Sequence, residues 1–114
     1  MNLATMTFRA YQQRALQTAV YPDCGRNFTY PALGLCGEAG EVAEKIKKII
    51  RDKGGCFGDE ERAQIALELG DVLWYAAILA SEFGLSLQDI ANANLDKLAK
   101  RAKRGKIRGS GDNR

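Results

Sequence analysis

Two acids sit three residues apart inside the most apolar stretch of this chain. From Ile65 to Ala80 the sequence reads Ile-Ala-Leu-Glu-Leu-Gly-Asp-Val-Leu-Trp-Tyr-Ala-Ala-Ile-Leu-Ala, and neither Glu68 nor Asp71 has a Lys or Arg three or four positions away. A carboxylate desolvated by apolar neighbours is strongly disfavoured in its ionised form, so something must compensate these two. Glu38 and Glu41 repeat the spacing on a second segment. Two acidic couples of this kind point to a shared site for a divalent metal.

The residues that the chain lacks narrow its chemistry. It contains no histidine, and its three cysteines, Cys24, Cys36 and Cys56, are far apart. Zinc sites with Cys and His ligands, catalytic triads and histidine general bases therefore lose their essential residues. A ferritin-like di-iron bundle, which pairs Glu with His three residues on, is excluded as well. A Cys36 nucleophile would have no histidine to activate it, so the thiols are expected to be incidental, in a reducing compartment. The first residues lack the apolar segment of a signal peptide, and the longest uninterrupted apolar run, Val72 to Ala80, is far shorter than the roughly 20 residues of a membrane helix. A cytoplasmic protein without a membrane partner is the expectation.

At 114 residues with 46% hydrophobic content, the chain can bury one core. Periodicity and punctuation give four helices and no strand, an all-α fold resembling a four-helix bundle and completed by oligomerisation. The first helix is expected from Thr7, as N-cap, to about Val20; the second from Pro31 to Lys53, with an apolar stripe of Leu35, Ala39, Val42, Ala43, Ile46, Ile49 and Ile50. Gly54, Gly55 and Gly58 break the chain before a third helix, capped by Asp59 and ended by Gly84. That helix is apolar almost all round between Val72 and Ala80, as for a helix enclosed by neighbours. Ser86 opens a fourth helix that stops at Gly105. Residues 1–105 form the domain, and 106–114 read as a flexible basic tail.

At about 100° per residue, Glu38 and Glu41 lie about 60° apart on the second helix, with Lys45 between them in projection two turns on. Glu68 and Asp71 repeat this arrangement on the third helix, with Tyr75 between them. If the two helices pack side by side, four carboxylates meet at one seam. They could not all stay ionised there unaided, because like charges at close range raise one another's pKa. Mg²⁺ resolves that conflict: it takes hard oxygen ligands, retains waters and is commonly shared with substrate phosphates. Phosphoryl or nucleotidyl transfer uses such a site. The bland reading is that Glu41 with Lys45, and Glu44 with Lys48, are ordinary exposed i,i+4 pairs, each contributing roughly 0.3 kcal/mol. It accounts for the second helix but not for Glu68 and Asp71.

The segments Leu35-Cys36-Gly37-Glu38-Ala39-Gly40-Glu41-Val42-Ala43-Glu44-Lys45 and Glu68-Leu69-Gly70-Asp71-Val72-Leu73-Trp74-Tyr75 together resemble the two signatures of the MazG-like nucleoside triphosphate pyrophosphohydrolases. The resemblance runs from about Tyr30 to Arg101. It implies an all-α enzyme that uses Mg²⁺, with Mn²⁺ as a substitute, to split a nucleoside triphosphate between its α and β phosphates. It also implies that Glu38, Glu41, Glu68 and Asp71 are metal ligands and catalytic residues. Lys45 would contact phosphate, Tyr75 matches a frequent tyrosine after the acidic motif, and Asn94, Lys97 and Arg101 match residues associated with phosphate and sugar. Many members carry a further glutamate where this chain has Gly37. Small members assemble as homodimers or homotetramers, with sites built from more than one chain. For the base, Phe8, Tyr11, Tyr21, Phe28 and Tyr30 are all stacking candidates.

Two other functions compete. Phosphoribosyl-ATP pyrophosphohydrolase uses similar helical chemistry. A helical nucleic-acid-binding module would use the basic end, where eight of the seventeen Lys and Arg residues fall at or after Lys97. That module leaves the acids in their apolar setting unexplained.

Overall fold

The computed structural model describes residues 5–105. Its helices are α1 (Phe8–Ala15), α2 (Thr29–Lys53), α3 (Asp59–Glu82) and α4 (Leu87–Lys103), with a 3-10 turn at Leu16–Thr18. Among the described residues there is no strand, so the fold is all-α as the sequence implies. The segment expected to form a basic tail, 106–114, lies outside the described residues.

α2 and α3 form a long helical hairpin, which is the principal interface of the molecule. At its turn, Gly54 and Gly55 adopt φ of 61° and 87°, the left-handed region that a residue with a Cβ resists. Both N–H groups donate to the carbonyl of Ile49, satisfying the end of α2. Asp59 is the first residue of α3 rather than its cap. Gly58 holds the cap position, and the Glu61 carboxylate accepts its N–H at 3.0 Å and an ion pair from Lys53 at 3.1 Å. This clasp joins the two arms.

The core lies at the other end of the hairpin, where Ala15, Tyr21, Ala77, Ile78 and Leu87 meet under Tyr11, Ala19, Leu73 and Trp74. Thr7 caps α1 by accepting the N–H of Ala10. α1 ends at Ala15, well before Val20, because the chain tightens into the 3-10 turn and leaves to form the loop under Tyr21. Gln12 ties the elements together. Its amide donates to the Ser81 hydroxyl and the Leu85 carbonyl, both at 2.9 Å, and its side-chain oxygen accepts the N–H of Leu87 at 2.8 Å. A buried amide with its groups satisfied fixes how α1 sits on α3 and α4.

Within one chain α3 is less enclosed than its composition suggests. Ala77 and Ile78 are completely buried, whereas Leu67 and Leu69 are 73% and 52% exposed. α4 packs on α1 and on the end of α3, with no comparable interface to α2. The radius of gyration is 17.0 Å, against about 13 Å for a compact chain of this length. By length and composition alone, α3 could cross a membrane. The uninterrupted run Val72–Ala80 is short, but the whole helix passes because its apolar residues outweigh its two central acids.

Candidate metal centre

Glu38 lies on α2, and Glu68 and Asp71 lie on the facing side of α3. Each carboxyl offers an oxygen such that the three oxygens fall within 4.8 Å of one another. The helical seam expected from the three-residue spacing therefore exists for these acids. Glu68 faces Glu38 across the seam closely enough for the two carboxyl groups to act on one another. Burial pushes the Glu38 carboxyl above its usual range, and the charges of Asp71, Glu68 and Glu41 push it further. Glu41 is exposed and outside the tight trio, though near enough to act on Glu38.

Three hard oxygen donors at this separation, crowded enough to raise a pKa, fit a small divalent cation. The ion would offset the repulsion that the protein alone leaves in place. Glu38, Glu68 and Asp71 would hold it, with Glu41 the adjacent fourth acid.

The ordinary salt-bridge account of α2 fails for its first pair. Glu44 pairs with Lys47 at 3.0 Å rather than with Lys48, and neither Lys45 nor Lys48 forms an ion pair among the described residues. Both lysines line a cleft of about 310 Å³ near the hairpin turn, with Ile49, Asp52, Glu61 and Gln64. Lys45 follows Glu41 by one turn of α2, but the lining of that cleft includes none of the four acids.

Tyr75 stands one turn beyond Asp71. Its ring lies against the backbone of α2 at Gly34, where a Cβ would collide with it, and its hydroxyl lies near Tyr30. Burial raises its pKa, with contributions from Tyr30, Glu38 and Asp71. Tyr11 approaches from α1; burial and then the charge of Asp71 raise its pKa. Asn94, Lys97 and Arg101 lie on α4. Arg101 is buried, and Lys97, Arg101 and Arg104 are already engaged within the chain. Among the described residues, no hydrogen bond, ion pair or cleft joins Asn94 to the acids.

The sequence did not single out Glu82, the last residue of α3. Its carboxylate accepts the Tyr21 hydroxyl and the N–H groups of Gly25 and Asn27, at 2.8 and 2.9 Å. The Tyr21 hydroxyl and the two N–H groups hold its pKa below the usual range. The three donors come from a loop more than fifty residues away, so no local pattern marks it.

Comparison with known proteins agrees with this arrangement. Residues 28–105 match the model of the MazG nucleotide pyrophosphohydrolase domain. The chain is 48% identical to "Gene 37 protein" of Mycobacterium phage L5 over 109 residues, covering 91% of this chain and 96% of that one. It is 38% identical to "Uncharacterized protein YvdC" of Bacillus subtilis (strain 168) over 72 residues, covering 59% of this chain and 68% of that one. No solved structure matches it. With the matched region taking in α2, α3 and α4 and all four acids, the chain belongs to the MazG nucleotide pyrophosphohydrolase family.

Proposed function

We propose that this protein hydrolyses a nucleoside triphosphate between its α and β phosphates, yielding a monophosphate and pyrophosphate, with Mg²⁺ as the working ion and Mn²⁺ as a substitute. The observation that carries this reading is the convergence of Glu38, Glu68 and Asp71 from two helices within 4.8 Å. When bound, the metal neutralises charge developing on the phosphate oxygens and makes water a better nucleophile. The chain supplies the rest. Lys45, in no ion pair among the described residues, attracts the phosphates. Glu41 is the acid left to orient the attacking water and take its proton, in a chain with no histidine for that task. Water adds to phosphorus, the bridging P–O bond breaks, and pyrophosphate departs.

A homodimer or homotetramer is part of the same proposal. Ile46, Ile50, Phe57 and Ile65 line an apolar hollow of about 450 Å³ on the hairpin, and Leu67 and Leu69 are exposed elsewhere on α3. Apolar area of that extent on an open molecule favours association with a second copy. Asn94, which no hydrogen bond or cleft joins to the acids among the described residues, would then be a candidate to reach a neighbour's substrate. Light scattering against concentration tests assembly, and a persistent monomer would refute it.

The reaction is tested by separating products from a panel of canonical and modified nucleoside triphosphates and phosphoribosyl-ATP, with Mg²⁺ or chelator. Pyrophosphate and monophosphate only with metal is the expected result. Orthophosphate release, or turnover in chelator, would overturn it, and exclusive turnover of phosphoribosyl-ATP would favour the histidine-pathway activity.

A further inference from the structure

We infer that Tyr30 is the surface on which the nucleobase stacks, an assignment that rests on the nucleotide reading above. The sequence offers five aromatic candidates, and the structure separates them. Tyr21 is only 8% exposed and lies beneath Tyr30, while Tyr11 is half-buried against the core. Phe28, 57% exposed, stacks on the equally exposed Phe83 with ring centroids 5.3 Å apart, so its partner is not anchored as Tyr21 is, and it lies farther than Tyr30 from Glu38 along the chain. Phe8 borders a small apolar hollow with Met6, Thr7 and Leu73. Tyr30 is 44% exposed, with one side packed and a large part of its ring in solvent.

Its setting is that of a ring held in advance for a flat ligand. Tyr30 stacks on Tyr21 with centroids 4.8 Å apart and planes 8° from parallel. Tyr21 is fixed in turn by its hydroxyl bond to Glu82, which also holds the backbone of Gly25 and Asn27. On the other side, Tyr30 lies near the hydroxyl of Tyr75, whose ring is seated on Gly34. A ring stacked on an anchored neighbour loses little freedom when a base covers its other face, and such preorganisation converts into affinity.

The position suits a nucleotide. Tyr30 precedes Glu38 by two turns, about 12 Å along the helix axis, and Tyr75 spans the interval. A nucleotide with its phosphates at the acids can lay its base on Tyr30. Asn27, three residues before Tyr30, is already committed: its amide donates to the Pro22 carbonyl and its oxygen accepts the N–H of Tyr30. Recognition therefore rests on stacking area instead of a hydrogen-bond code, favouring purines over pyrimidines and tolerating altered bases.

Calorimetry on the full chain with Mg²⁺, using adenosine monophosphate and ribose 5-phosphate as probes, tests this without relying on turnover. The native protein should bind adenosine monophosphate about tenfold more tightly or better. Tyr30→Ala and Tyr30→Leu should erase that difference while leaving ribose 5-phosphate binding unchanged, and Tyr30→Trp should preserve it. Tyr30→Leu keeps apolar packing on Tyr21, so it serves if the alanine variant melts early by circular dichroism. Preference for the adenosine ligand surviving in Tyr30→Leu, equal losses for both probes, or no preference in the native protein would each overturn the assignment. Base-dependent binding by a protein that cleaves no triphosphate would instead sink the proposed reaction and leave the platform standing.

Discussion

α3 carries acids at its middle and at its end, and the two groups have opposite surroundings. Glu68 and Asp71 meet another carboxylate across the seam, and Glu38 answers with a raised pKa. Glu82 meets three donors, and its pKa is lowered. A carboxylate satisfied by its own protein anchors structure, whereas carboxylates gathered against one another store a repulsion that only an outside positive charge relieves. The raised pKa is at the metal centre and the lowered one is at the loop.

Four experiments can break or sharpen this contrast. Glu68→Gln or Asp71→Asn should abolish hydrolysis, by on the order of a thousandfold in kcat if metal-derived stabilisation of several kcal/mol is lost. The metal-free melting temperature should hold or rise as repulsion is relieved. A variant that retains activity would end the metal assignment. Glu82→Gln should behave in the reverse way, with melting several degrees lower and metal affinity unchanged, because a neutral amide accepts the loop N–H groups less strongly. Unchanged melting would show that the loop does not depend on that charge.

Gly34→Ala should cost about 1–3 kcal/mol by overpacking against Tyr75, outweighing the roughly 1 kcal/mol that alanine gains over glycine in a helix. Denaturant titration measures it, and a net gain in stability would mean that the ring moves aside freely. The smallest effect is in pH. Glu82, with a lowered pKa, contributes stability present above the ordinary glutamate pKa and lost as pH falls through its depressed value. Glu38, with a raised pKa, contributes stability present at low pH and lost as pH rises through its elevated value, unless a cation replaces the proton. The rise in melting temperature on adding Mg²⁺ should therefore grow from acid to neutral pH. A rise independent of pH would show that protons and metal do not compete there.

Much of this was legible in the sequence. The helices follow from periodicity and from cap and stop residues, and the seam follows because a spacing of three keeps both acids of a pair on one helical face. What eluded the sequence depends on distant partners. Glu82 looks like an ordinary last-turn residue until Gly25 and Asn27 are brought to it. Gln12 gives no sign that it joins three elements. Glu44 could choose between lysines three and four residues on, and it took Lys47, a choice of rotamer that spacing does not decide. The enclosure of α3 was read from composition, but within one chain only its second half is covered.

The clasp of Glu61 on Lys53 and Gly58 has a bearing on how the chain can tolerate change in length. It fixes where α3 starts its winding relative to α2, so every later side chain on α3 takes its direction from that point. One residue added between Glu61 and Glu68 would swing both acids about 100° round the helix, away from Glu38, without altering any of the acids themselves. The spacer's composition is free to drift, but an insertion or deletion there pulls the three acids apart.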